Sequence, residues 1–334
     1  MPHMTAARLH TEHNELRLES VDVPDPSADE VRVKVKFAGV CLTDIHFLRG
    51  ETAAGMPPQV TLGHEVSGVI DAVGSNVVGW RTGDRVVVHP VEDRGTTTRV
   101  LGAHYDGGWA EYLVAPKSAL VAIADDVPYE IAAIIPDAVA TPWAAITDTA
   151  NVRPVEAVAV WGLGGLGYHA VKLLRLIGAA PIVAIDPIDS ARERARTAGA
   201  DLALDPESDD VAAEIDRITN GNGLDVAFDF YGSGAIHQSA FDALGRNGRL
   251  VLIGVPDGPL HVDTSPLLIR GAKRILGHYG AERRHIEELI RLVQTRRLDL
   301  ADSVSAIYPL DKAHDALDAL ETKTGHPIRI LLQP

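Results

Sequence analysis

The sequence predicts an α/β protein in which a doubly wound, six-stranded parallel sheet is combined with a discontinuous, β-rich domain. Three observations predict it. Strands and helices alternate from residue 155 onward, a glycine-rich turn links the first of those strands to a helix, and short period-two strands broken by turns dominate the chain before residue 120. At 334 residues the chain also exceeds the size at which a single core stops growing, so two domains are expected.

The opening part reads as β structure. Leu16-Arg17-Leu18 alternates, Pro24-Asp25-Pro26 turns, and residues 31–36 form a period-two strand that runs on into Gly39-Val40-Cys41. Further strands fall at 66–73 and 85–88, with Gly74-Ser75 and Thr82-Gly83-Asp84 as turns. Between His89 and Asp106 the pattern dissolves into residues 91–98, expected to form a polar loop without periodicity, after which 107–114 regains strand character. An alanine-rich helical region is expected over 128–149, with Pro136-Asp137 in its middle.

From residue 155, strands are expected near 156–161, 181–186, 202–204, 225–230, 249–254 and 274–279. Between the first two lies Gly162-Leu163-Gly164-Gly165-Leu166-Gly167, followed by a helix whose Ala170, Leu173, Leu174 and Ile177 share one face. Gly162 allows the tight turn, Gly164 keeps side chains away from a phosphate, and Gly167 lets the helix pack closely on the sheet. The backbone N–H groups of this turn, with Gly165 and Leu166 opening the helix, can then meet a pyrophosphate at the helix N-terminus. Asp186 ends the second strand at the spacing of a ribose-binding acid, which favours NAD over NADP because a carboxylate repels a 2′-phosphate. Arg192 and Arg194 are expected on the solvated face of the next helix. These features assign residues 141–280 to a Rossmann dinucleotide domain.

Beyond it, a helix over 284–295, a strand over 306–310, a helix over 311–322 capped by Asp311 and a strand over 328–332 are too few to fold alone. They are expected to return to the first domain, which then comprises 1–140 and 281–334.

Composition narrows the function. Apolar residues at 46% and charges at 23% are an ordinary globular balance, and a net charge of −15 repels nucleic acid and anionic membranes. No apolar run is long enough to span a bilayer and the N-terminus lacks a secretory core, so a cytoplasmic location is expected. The single cysteine, Cys41, excludes an intrachain disulfide and a multi-cysteine zinc lobe. A thiolate and a neutral imidazole both suit zinc, and a catalytic zinc takes three protein ligands. Cys41, His64 of Gly63-His64-Glu65, and Asp137 are the candidates, the last because a carboxylate following Pro136 in an apolar stretch is costly to bury unpaired.

Cys41-x-Thr43-Asp44-x-His46, Gly63-His64-Glu65, Gly83-Asp84-Arg85-Val86, the glycine turn and the terminal Ile328-Arg329 together resemble the zinc-containing medium-chain alcohol dehydrogenases, over essentially the whole chain. The resemblance implies a GroES-like catalytic domain beside the Rossmann domain, one catalytic zinc on Cys41, His64 and Asp137, Asp44 orienting His64, and Glu65 close behind the metal. It further implies that Thr43 takes the alcohol proton and passes it through the cofactor ribose to His46. Thr141 lies against the nicotinamide, Arg329 pairs with the pyrophosphate, Gly254, Val255 and His278 join the cofactor contacts, and Phe47, His89 and Trp109 border the substrate. Trp109 as an aromatic wall favours an apolar or cyclic alcohol.

Two departures from the family stand out. Asp137 replaces a second cysteine, as in the bacterial branch that includes secondary alcohol dehydrogenases, and residues 92–100 replace the four-cysteine structural zinc lobe. The expected activity is hydride transfer between a secondary or cyclic alcohol and NAD, or reduction of the matching ketone or aldehyde, by a homodimer or homotetramer. Two competing readings are a zinc-free quinone or enoyl reductase of the same fold, disfavoured by the metal-ligand set, and a non-catalytic NAD-binding protein.

Overall fold

The computed structural model describes residues 2–51, 55–93, 98–254 and 265–334. The chain divides into two compact units, Met1–Ala140 with Ala281–Pro334, and Thr141–Gly280.

The second unit is built on a six-stranded, wholly parallel sheet. Across it the strands run Leu202–Leu204, Ile182–Ile185, Val158–Trp161, Leu224–Asp229, Leu244–Leu252 and Arg274–Gly277. All four side chains of Val158–Trp161 and of Ile182–Ile185 are buried, as apolar runs are when helices cover both faces of a sheet. The order reverses between Val158–Trp161 and Leu224–Asp229, the switch point at whose carboxyl end open α/β sheets bind ligands. The helix Gly165–Ile177 starts there and stops at Gly178, whose φ of +90° admits the left-handed turn.

A polar clamp fastens the opposite end of this sheet. The Arg249 guanidinium grips Glu156 with two bonds of 2.6 and 3.1 Å and also donates to the carbonyls of Ala150 and Asp225. Burial works against the Glu156 charge, but Arg249 and the Arg153 N–H outweigh it and hold the carboxyl below its ordinary value.

The first unit holds a seven-stranded sheet ordered Leu120–Ala122, Arg85–Val88, Val66–Val73, Glu30–Val40, Arg329–Gln333 and Val304–Pro309, with Tyr112–Pro116 also paired to Glu30–Val40. A smaller sheet joins Glu15–Asp22, His3–His10 and Gln59–Thr61. The last strand of the chain pairs Ile330 with Val40, so Arg329 is carried beside Cys41 although most of the sequence separates them.

Several local expectations change. His3–His10 is a strand, unread in the sequence because its burial does not follow strict alternation. In the stretch between His89 and Asp106 expected to be a loop, Val91–Asp93 pairs with Thr98–Val100. The helical region is built of Tyr129–Ile134, a π-helical turn Ile135–Val139, Ala140–Ala144 and a second π turn Ala145–Thr149. Asp311 does not cap its helix: it lies in a 3₁₀ turn, Leu310–Lys312, and Lys312 takes the cap position.

The Glu156 shift carries a testable sign. A carboxyl held below its unfolded value contributes stability above that value, ordinarily 4.5, and loses it as the pH falls. Glu156→Gln is expected to cost about 1–2 kcal/mol at neutral pH, a buried-pair effect discounted for partial exposure. Denaturant titrations should show this difference narrowing in acid; a cost unchanged at low pH would contradict the account.

Candidate metal centre and dinucleotide cradle

Cys41 is placed by the junction of the strand Glu30–Val40 with the short helix Leu42–Leu48. Its N–H donates to Oδ2 of Asp44 at 2.9 Å, fixing the first turn. His64 and Glu65 follow Gly63, whose φ is +92° and where an added Cβ would lie 2.2 Å from Trp109 Cδ1. At Gly39 a Cβ would lie 2.0 Å from Glu65 Oε2, so the backbone there must be bare for the carboxylate to fit. Asp137 stands on the π turn just after Pro136. Proline has no N–H for the helical ladder, and the widened turn accommodates that loss while aiming the carboxylate inward.

From these distant segments, ligand atoms of Cys41, His64, Glu65 and Asp137 converge to within 4.8 Å of one another. Asp137 Oδ2 is 3.6 Å from Cys41 Sγ and 3.5 Å from His64 Nε2, while His64 Nδ1 faces Asp44 Oδ1 at 3.6 Å. Arg329 Nη2 lies 2.9 Å from Glu65 Oε1, at an angle too bent for a hydrogen bond, and 3.5 Å from Asp137 Oδ2.

The electrostatics ask for positive charge. Burial lowers the basicity of His64, yet Asp44, Asp137 and Cys41 overcome it and hold the imidazole well above its ordinary value. Burial lifts Glu65 to about 8, against Arg329 and with Asp137. Arg329, whose charge burial disfavours, is held protonated more firmly by Glu65, Cys41 and Asp137. Neither Glu65 oxygen has a hydrogen bond among the described residues, and buried acceptors of that kind are costly unless a cation meets them. A sulfur, an imidazole and two carboxylates match the ligand types and number of a tetrahedral zinc site.

Around this centre, Thr43 Oγ1 lies 3.5 Å from Cys41 Sγ, and His46 Nδ1 pairs with Glu51. Glu51 was not visible as a partner in the sequence, since a spacing of five residues beyond a short helix carries no periodic signal. His89 donates from Nε2 to the Ala281 carbonyl at 2.8 Å, and burial lowers its pKa. Two expectations are corrected. Trp109 is fully buried, donates to the Gly39 carbonyl at 3.0 Å and packs in the core, and Phe47 belongs to the same core, so neither is a substrate wall. Arg329, 3% exposed, stands beside Glu65 and Asp137.

In the second unit, Gly162 has φ +83°, and a Cβ at Gly167 would meet the Gly162 carbonyl at 1.8 Å. Nothing stands within 4 Å of a Cβ position at Gly164, which leaves that approach open. Gly165 and Leu166 open the helix Gly165–Ile177. Asp186 accepts the N–H of Leu163 at 2.7 Å and of Ile188 at 2.9 Å, so it braces the glycine turn itself. Arg192 departs from the solvated face expected of it: it donates to the Asp186 carbonyl at 2.8 Å and approaches Asp205 at 3.3 Å. Arg194 is half-buried rather than solvated. His278 binds the Thr141 carbonyl through Nε2 at 3.0 Å and Thr149 Oγ1 through Nδ1 at 2.8 Å. The carbonyl can only accept, so Nε2 carries the proton. A Cβ at Gly254 would lie 2.5 Å from Gly232 N, while Val255 lies outside the described residues.

Comparison with known proteins agrees across both units. Residues 27–125 match the model of the alcohol dehydrogenase GroES-like domain, and residues 165–295 that of zinc-binding dehydrogenases. An NAD-dependent alcohol dehydrogenase of Saccharolobus solfataricus is 30% identical over 95% of this chain and 96% of its own. An L-threonine 3-dehydrogenase of Pyrococcus horikoshii is 32% identical over 94% of each. The crystal structure of an alcohol dehydrogenase of Aeropyrum pernix superposes with a TM-score of 0.88 at 31% identity, covering 99% of this chain and 100% of that one.

The close approach at Gly39 gives a direct check on the centre. Gly39→Ala is expected to displace the Glu65 carboxylate, costing about 1–3 kcal/mol as overpacking does. The variant should also retain less zinc than the parent after dialysis, measured by elemental analysis. Equal retention would show that Glu65 has no bearing on the metal.

Proposed function

This chain belongs to the zinc-type medium-chain alcohol dehydrogenases, and from that premise we propose that it interconverts a small secondary alcohol and its ketone with NAD, using a zinc held by Cys41, His64 and Asp137. The observation that carries the reading is the convergence of a thiol, an imidazole and carboxylates from three remote segments in a buried, cation-demanding cluster. When bound, zinc supplies a Lewis acid that lowers the pKa of an alcohol, and NAD supplies the acceptor for its hydride.

The protein's own residues then have definite tasks. Asp44 faces Nδ1 of His64, which fixes the ring and leaves Nε2 for the metal. Glu65 lies within reach as a further oxygen, and Arg329 offsets the negative charge that the ligands concentrate in a buried place. Thr43, beside Cys41, takes the alcohol proton, and His46 delivers it to solvent with Glu51 as its partner. In the second unit the glycine turn and the first N–H groups of its helix hold the pyrophosphate, while Asp186 selects the ribose hydroxyls of NAD.

The preference for a secondary alcohol rests on Asp137. A preference for cyclic substrates loses its support with Trp109 in the core. We also propose self-association through the strand Arg274–Gly277, which is an open edge of its sheet among the described residues.

A panel of primary, secondary and cyclic alcohols scored by NADH formation tests the activity. One zinc per chain, fastest turnover of secondary alcohols, loss of activity in Cys41→Ser, and a roughly 10–100-fold decline in Asp44→Ala are expected. Turnover by zinc-free protein would move the chain to the metal-independent reductases of this fold. Light scattering should give twice or four times the mass of one chain, with Leu276→Pro shifting it downward; a monomeric parent would rule out the edge-strand assembly.

A further inference from the structure

A second buried acid stands at the ligand-binding edge of the parallel sheet and takes no part in the metal centre. Asp229 closes the strand Leu224–Asp229 and lies opposite Trp161, the residue before the glycine turn, at the point where the strand order reverses. Its Oδ1 accepts the N–H groups of Tyr231 at 2.8 Å and Gly232 at 2.9 Å. Its carbonyl accepts those of Ile253 at 2.9 Å and Gly254 at 3.0 Å. One residue thereby ties together the ends of two neighbouring strands and the turn between sheet and helix.

That turn is pressed against the cradle. A Cβ added to Gly162 would lie 3.2 Å from the N and Cβ of Tyr231, and one added to Gly254 would meet Gly232 N and the Tyr231 carbonyl carbon at 2.5 Å. The turn therefore touches both the first cradle glycine and Gly254, and a shift of the turn moves both.

The remaining oxygen, Oδ2, faces Nε2 of His237 at 3.0 Å, an approach too bent for a straight hydrogen bond. Both side chains are buried, and His237 Nδ1 has no hydrogen-bond partner among the described residues. Burial disfavours the Asp229 charge, opposed by the Gly232 and Tyr231 N–H groups and by His237. An apolar side chain at 237 would leave Oδ2 facing hydrocarbon, and the cheapest relief is for the turn to move.

We propose that His237 is a positioning residue for the dinucleotide: through Asp229 it fixes the 230–232 turn, and the turn holds Gly162 and Gly254 in the shape that receives the cofactor. This rests on the reading of Thr141–Gly280 as the NAD-binding unit.

The test is a fluorescence titration of the zinc-loaded enzyme with NADH, alongside KM and kcat for NAD. His237→Leu is expected to raise the NADH Kd and the NAD KM about tenfold, the scale of leaving a buried acceptor without a polar partner, with kcat and zinc content nearly unchanged. His237→Gln, whose Nε2 reaches the same place, should restore most of the affinity. Equal affinities of parent and His237→Leu, or equal losses in His237→Leu and His237→Gln, would overturn the inference. Should His237→Leu fail to fold, His237→Asn replaces it: too short to reach Asp229, it should bind weakly where His237→Gln binds well, and parity between them overturns the inference. A parent that binds no NADH overturns the dinucleotide reading and the inference with it, whereas a binding parent with unaffected variants overturns the inference alone.

Discussion

Acidic side chains gathered where water hardly reaches are the constraint on which the first unit depends. Cys41, Glu65, Asp137 and Asp44 crowd one buried place, and in a medium of low polarity such groups stand together only if positive charge stands with them. Arg329 supplies one fixed cation, delivered by the last strand of the chain to a position beside the first long one. The raised proton affinities of His64 and Glu65 indicate that this single cation does not balance the cluster. A divalent metal would fill that deficit, which is why the same residues that make the place costly to fold make it suited to zinc.

Bare backbone is the complementary requirement, and it recurs in both units. Gly39 and Gly63 leave room for the Glu65 carboxylate and the Trp109 ring, so the indole braces the cluster from the core side. In the parallel-sheet unit, Gly162, Gly167 and Gly254 let turn, helix and strand ends approach more closely than any Cβ would permit. Asp186 and Asp229 then fasten those turns through backbone N–H groups. Acids at the strand ends have a structural task beside whatever they offer a ligand, since a charge-assisted bond to two N–H groups orders a turn that would otherwise be soft.

Much of the architecture was legible in the sequence because periodicity is a local property. The apolar runs at 158–161 and 182–185, the glycine turn and the helix face of Ala170, Leu173 and Leu174 all announce a parallel sheet without reference to distant residues. What escaped was whatever depended on partners far along the chain. His3–His10 is a strand because Glu15–Asp22 and Gln59–Thr61 flank it, and its own pattern is irregular. The π turn at Ile135–Val139 was hidden because residue types favouring an α-helix also tolerate it.

The sequence by itself determined the fold class and the family, and it offered a short list of candidate ligating and cofactor-binding residues, because motif spacing and side-chain chemistry are written in order along one chain. Only the tertiary structure decided that Trp109 and Phe47 belong to the core, that Arg329 faces Glu65, and that Glu51 joins His46. The physical reason is the same in each case. Where a side chain points is set by which distant strand or helix packs beside it, and burial and charge balance are properties of that neighbourhood, not of the residue type.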